Sequence, residues 1–247
     1  MTSSILPMER LFPQRPAQST FRPGWTTDTI HFLVSHLLVQ VSTLLTLAPA
    51  TIFFAWAAHP GLQETVRGLP AIVQFGLIIL VADLAEYTIH RTFHAVPFLW
   101  RFHAIHHSSE DIDWLAGSRL HLVDVVLTRG FTFLPIYLVG FSNGPVYAYL
   151  TFVSFHAVFI HGNVRFRFGP LERLFVTPRF HHWHHSAAAE AVDRNFAVHL
   201  PWIDRLFGTY HCPGERWPAR YGLSEGRVPT GYLGQLVWPF RKAGDRE

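Results

Sequence analysis

Apolar positions along the chain fall into four long blocks separated by polar stretches. From Ile30 to Ala58 there is no Asp, Glu, Lys or Arg, and the block exceeds the roughly 20 residues a helix needs to cross a bilayer. It predicts a first membrane helix, with Pro49 as a candidate kink and with His31 and His36 as interfacial or buried polar groups near its start. A second span is predicted over Ala71–His90, apolar until Asp83 and Glu86 enter near its end. Blocks over Leu122–Val139 and Pro145–His161 are separated by Gly140-Phe141-Ser142-Asn143-Gly144, a turn composition. They predict a helical hairpin, with Asp124 and Arg129 inside its first arm. Ahead of these blocks, Met1–Trp25 mixes prolines and arginines with short apolar pairs. Ser3–Phe12 has the makings of a short interfacial helix, but the composition favours a flexible tail on the membrane surface.

The blocks predict an all-α membrane protein with about four transmembrane helices and a histidine-rich helical cap holding a dimetal site. Its expected organisation is a tail over 1–29, a transmembrane region over 30–162, a cap over 163–213 and a C-terminal tail over 214–247. Spans one and two return the chain to its starting side at His90, and spans three and four return it there at His161. The dense histidine clusters then share one membrane face. That face carries 3 Lys or Arg in the tail, 3 in 91–119 and 12 in 163–247, while the opposite loops carry only Arg67. The positive-inside rule therefore places the clusters in the cytoplasm, with the cell membrane of a bacterium as the expected location.

Composition sharpens this picture. Charged residues make up 15% of the chain, against roughly 25% in ordinary soluble domains, and 49% of positions are apolar. A single cysteine, Cys212, excludes an internal disulfide, a cysteine-rich zinc module and a protein-held iron–sulfur cluster. A net charge of +3 spread over scattered arginines suits anionic lipid headgroups and gives no stripe for nucleic acid.

The conspicuous excess is 17 histidines. His90 and His94 form an HxxxH at the end of the second span, and residues four apart project from nearly the same side of a helix. His103, His106 and His107 form an HxxHH, and His181, His184 and His185 repeat that spacing. Random placement of this many histidines would produce far fewer than one HxxHH. With His161 at the end of the fourth span, the clusters supply nine candidate ligands, too many for one ion and suited to two. Imidazole binds iron, zinc, copper and nickel alike, so residue type leaves the metal open. Rings alone would give the site a high positive charge.

Asp83, Glu86, His90 and His94 are spaced 3, 4 and 4 apart, on one helical face. An acid inside a span requires a partner or a wet cavity. One expectation is that these acids accept imidazole N–H bonds and fix the ring tautomers; the other is a buried salt bridge or cap. In the third cluster, Thr177-Pro178 is a good helix start, and a helix through the box puts His181, His184 and His185 on one face with His182 at its edge.

Over Val81–Pro213 the chain resembles the fatty acid hydroxylase and sterol desaturase superfamily of membrane di-iron oxygenases. The resemblance rests on Tyr87 through His94, Pro97 through Ser108, His161-Gly162-Asn163, and Thr177 through Ser186. It implies that His90, His94, His103, His106, His107, His181, His184 and His185 bind two iron ions, with His161 as a ninth ligand and His156 as a less well spaced addition. His121, in Arg119-Leu120-His121, also matches a recurrent position, with a structural or ring-supporting role expected. Asp204 through Tyr210 matches too, while Ile203 stands where the family has Trp and Asn195-Phe196-Ala197 where it has Asn-Tyr-Gly.

The resemblance further implies dioxygen as cosubstrate and oxidation of an alkyl C–H bond in a lipid, with hydroxylation the expected outcome and desaturation the alternative. Fatty acyl, sterol, hopanoid, carotenoid and aminolipid substrates all fit. The chain shows no glycine-rich nucleotide fingerprint and no room for an appended haem or flavin domain, so electrons are expected from a separate carrier protein. Two other classes fit parts of the pattern. A haem-bearing membrane electron carrier would place isolated histidines facing each other within spans, and a metal transporter would line a path across the bilayer with polar groups.

Overall fold

The structure is a computed structural model that describes residues 2–37 and 51–241, together with the isolated positions 41, 44 and 48. Among the described residues it is all-helical. Among the described residues the α-helices with fully described bounds are α1 Thr2–Leu11, α2 Trp25–Leu37, α3 Pro60–Arg67, α4 Ala71–Ala95, α5 Pro97–His107, α6 Leu122–Val139, α7 Asn143–His161, α8 Pro178–His184, α9 Trp202–Leu206 and α10 Tyr232–Val237.

α4 is the central element, packed against α5, α6 and α7. Ile78, Ile79 and Ala82 from α4, Ile136 from α6 and Tyr149 from α7 build the main apolar cluster. Among the described residues two helices, α4 and α6, are long and apolar enough to cross a membrane. α7 has 19 residues and no Asp, Glu, Lys or Arg, but Asn143, Tyr147, Tyr149, His156 and His161 make it less apolar. The middle of the first predicted span, including Pro49, and the side chain of His36 lie outside the described residues. Its end closes in a short 3-10 turn over Ala55–Ala57.

Two local devices aim the histidine-bearing helices. At Val96, between α4 and α5, the backbone is extended (φ −102°, ψ 112°), because Pro97 disfavours the helical region for the residue before it. Pro97 itself suits the first helical position, where no N–H is needed. The chain thus folds back immediately after His94. Between α6 and α7, Gly140 takes a left-handed conformation (φ 78°) and its N–H closes on the Ile136 carbonyl. A Cβ there would lie 2.4 Å from Gln63 Cγ, so only glycine permits both the turn and the approach of α3.

Described segments of both expected tails pack against the rest of the fold. Glu9 on α1 accepts the N–H groups of Trp114 and Asn163, each at 2.9 Å, and Arg22 is fully buried. At the other end, α10 bonds Gln235 to His31 at 2.8 Å and the Leu236 carbonyl to His121 at 3.0 Å. Trp238 is buried against Ala104 and Ile105. These segments read as tails because few of their residues are apolar. Their anchors are polar groups whose partners lie far along the chain.

Candidate metal centre

Four helices deliver the histidines. The end of α4 carries His90 and His94, α5 carries His103, His106 and His107, and the last residue of α7 is His161. α8 begins as expected, with Thr177 capping the Phe180 N–H and Pro178 in the first turn. It supplies His181 and His184, and ends one residue earlier than expected, with His185 as its cap.

All nine sequence candidates converge, in two groups. Ligand nitrogens of His90, His94, His103, His107 and His184 lie within 4.8 Å of one another, as do those of His106, His161, His181 and His185. Each HxxHH box is shared between the groups: His103 and His107 part from His106, and His184 parts from His181 and His185. The groups abut, with ring centroids 4.6 Å apart for His107 and His185.

Most rings are oriented from behind. The Nδ1–H groups of His90, His184, His106 and His161 donate to the carbonyls of Phe196 (2.9 Å), Arg194 (2.8 Å), Arg119 (3.2 Å) and Ala157 (2.7 Å). Those of His94 and His103 face the carboxylates of Asp193 at 3.0 Å and Asp124 at 2.7 Å. Protonation at Nδ1 leaves the Nε2 lone pair bare. In the five-ring group the Nε2 atoms of His90, His94, His103, His107 and His184 are all buried with no hydrogen-bond partner. In the four-ring group His106 and His161, both committed at Nδ1, point Nε2 at Nε2 across 3.3 Å. Two bare lone pairs at that distance repel unless a cation lies between them. The residues present therefore fit a pair of metal ions.

Electrostatics supports the same state. Burial, followed in each case by other nearby rings, holds His103, His107 and His181 well below the ordinary histidine range, and His106, His184 and His185 likewise. These rings are neutral at pH 7, as ligands must be.

The expected orienting role of Asp83 and Glu86 is not what the geometry holds. Asp83 accepts the backbone N–H groups of Val198 (2.7 Å), His199 (3.1 Å) and Leu200 (2.6 Å), so it caps a turn. Glu86 lines a cavity, and among the described residues no hydrogen bond joins it to the nine rings. The carboxylates that do meet rings are Asp124 and Asp193. A charge inside an apolar block hinted at Asp124, whereas Asp193, in a loop at φ 55°, had no signal in the pattern. These two carboxylates also offset part of the positive charge that rings alone would leave.

His182, His156 and His121 stand outside both groups. His182 accepts from the Tyr221 hydroxyl at 2.7 Å and donates to the His161 carbonyl at 3.3 Å. His156 faces Val176 and His199, and His121 caps the start of α6 through the Val123 N–H.

One cavity of about 610 Å³ opens onto both groups. His90 and His103 from the first and His106, His161 and His181 from the second line one part, and Phe93, Val125, Phe133 and Val153 contribute to its mostly apolar walls.

The fatty acid hydroxylase family model matches residues 75–209. An ornithine lipid hydroxylase of Rhizobium tropici, OlsE, is 32% identical over 98% of this chain and 72% of its own length. Human alkylglycerol monooxygenase is 34% identical over 59% of this chain, which spans 32% of that protein. Methylsterol monooxygenase 1-1 of Arabidopsis thaliana is 21% identical over 83% of this chain and 73% of its own. No solved structure matches.

Two outcomes are expected from this geometry. His184→Ala should lower bound metal, whereas His182→Ala should retain it, because the second ring points away from both groups; elemental analysis of the two purified variants decides, and metal loss in His182→Ala alone would reverse the assignment. The second concerns pH. Rings held below 6.5 in the folded state bind protons more readily once unfolded, so their contribution to stability is present above about pH 6.5 and is lost as pH falls through it. Thermal unfolding of metal-free protein between pH 8 and 5 should show the midpoint falling below about pH 6.5, with metal content falling over the same range in loaded protein.

Proposed function

The chain belongs to the fatty acid hydroxylase family, and from that premise we propose that it is a membrane oxygenase that hydroxylates an alkyl C–H bond of a lipid at a pair of iron ions. The observation that carries this reading is the meeting, at one mostly apolar cavity, of two groups of buried imidazole nitrogens, five of them without a hydrogen-bond partner and the other four facing one another. His90, His94, His103, His107 and His184 would hold one ion, and His106, His161, His181 and His185 the other. Bound there, the iron pair would supply the reduction of dioxygen and the oxidation of the C–H bond, with electrons from a separate carrier.

The chain's own residues do the rest. Asp124, Asp193 and the carbonyls of Phe196, Arg194, Arg119 and Ala157 fix which nitrogen faces the metal in six of the nine rings. Phe93, Val125, Phe133 and Val153 offer an alkyl chain an apolar surface and exclude water from the reacting carbon. For the substrate, an ornithine lipid or a related aminolipid is the first choice, since the ornithine lipid hydroxylase aligns with 98% of this chain. In the membrane we propose four spans with the histidine groups facing the cytoplasm. The apolar lengths of α4 and α6 and the arginines of 163–247 support that orientation.

Protein loaded with ferrous iron should contain about two irons per chain and give no Soret band; a strong one would favour the haem carrier. With ornithine lipid, oxygen and NAD(P)H, mass spectrometry should find a product heavier by one oxygen only once a carrier and reductase are added. Val153→Trp, which fills the cavity, should keep the iron and lose at least about tenfold in turnover. Unimpaired turnover would place the substrate elsewhere.

For topology, reporter fusions after Glu64, Asn143 and Glu247 should place Glu247 opposite the other two. Glu247 on the side of Asn143 would sink the four-span arrangement.

A further inference from the structure

A buried network of four charged side chains lies beside the four-ring group and takes no part in the chemistry above. Arg22 grips Asp113 with two bonds, Nε to Oδ2 at 2.7 Å and Nη2 to Oδ1 at 2.6 Å, and reaches Asp28 Oδ2 at 2.7 Å. Arg119 pairs with the other oxygen of Asp28. All four residues are buried, and their charges cancel.

The network shapes the loop that supports two of the four rings. Asp113 Oδ1 also accepts the N–H groups of Leu115 at 3.0 Å and Ala116 at 2.9 Å, which sets the short 3-10 turn Ala116–Ser118. Within that turn Gly117 lies flat against His161: a Cβ there would be 2.8 Å from the ring's Cγ and Nδ1. Two residues on, the carbonyl of Arg119 accepts the His106 Nδ1–H, and its guanidinium bonds Ser108 Oγ at 3.2 Å, one residue past α5. The remaining rings of this group, His181 and His185, have buried Nδ1 atoms with no partner. By contrast the oriented rings of the five-ring group lean on Phe196, Asp193, Asp124 and Arg194, none of which belongs to this loop.

We propose that the Arg22–Asp113–Asp28–Arg119 network is a positioning device for the four-ring metal site alone, and that Arg22 is its keystone. The proposal rests on the metal-binding reading above. Removing Arg22 leaves Asp113 without its bidentate partner and Asp28 with one cation instead of two, inside the protein where an unpaired charge is costly. The turn is then free to rearrange, and with it the seat of His161 and the carbonyl that orients His106. Loss of such a supporting contact weakens metal binding about 10–100-fold.

The test is a cobalt(II) titration of the full-length protein in detergent, followed by visible absorption, beside circular dichroism. Wild type should take two ions per chain. Arg22→Met should take one with unchanged affinity and the other about 10–100-fold more weakly, with its helical signal intact. Pairing then identifies the site. Arg22→Met added to His106→Ala should leave the one ion that His106→Ala retains, whereas Arg22→Met added to His184→Ala should weaken both. Two ions at wild-type affinity in Arg22→Met, or equal weakening of both, would overturn the proposal while leaving the metal reading intact. No cobalt bound by wild type would overturn the metal reading, and this inference with it. If Arg22→Met does not fold, Arg22→Lys decides: it keeps the charge and cannot make the bidentate bond, so selective weakening of one ion supports the proposal and its absence overturns it.

Discussion

The structure turns on the convergence of neutral imidazole lone pairs in a buried space. A ring facing other rings with a bare nitrogen forfeits its hydrogen bond to water, and in the described residues five Nε2 atoms carry that cost together. Among the described residues no donor meets any of these five atoms. Such a core becomes tolerable where rings are held from behind, as six of the nine are, and a cation in front would gather the lone pairs.

Holding the rings from behind explains much of the remaining architecture. The carbonyl that orients His90 belongs to Phe196, and the N–H groups of Phe196 and Ala197 are fixed by the two oxygens of Asp204, both at 2.8 Å. Thr209 donates to the same carboxylate at 2.6 Å. The segment Asp204 through Thr209, remote from the metal groups in sequence, thereby acts on His90 through one peptide. Asp83 serves the neighbouring stretch in the same manner. Asp83 and Asp204 thus act on backbone N–H groups near the rings, while among the described residues Asp124 and Asp193 are the carboxylates that reach the nine rings directly.

The cavity joins the two groups of rings to an apolar space between α6 and α7. Val125 and Phe133 line it from α6 and Leu150, Val153 and Ala157 from α7, which ends in His161, while α4 adds Glu86, His90 and Phe93 near its own end, so both groups of rings border the same space. The break at Val96 matters for the same reason: had α4 continued, the second box would have extended away from the first.

Periodicity and spacing were sufficient to locate α4, α6 and α7 to within a few residues and to name all nine converging histidines. Those properties are local: an apolar block long enough to cross a bilayer, a turn rich in glycine, and rings four residues apart on a helix are legible without knowing any partner. Partition of the rings was not legible. A helical wheel puts His103, His106 and His107 on one face, but which neighbour each meets depends on how α5 and α8 sit against α4 and α7. The same limit hid the roles of Asp193 and of Arg22. Asp193 meets His94 across 99 positions of chain and Arg22 meets Asp113 across 91. A bond of that kind has no period and no motif, and comes into being only when the tertiary structure brings its two ends together.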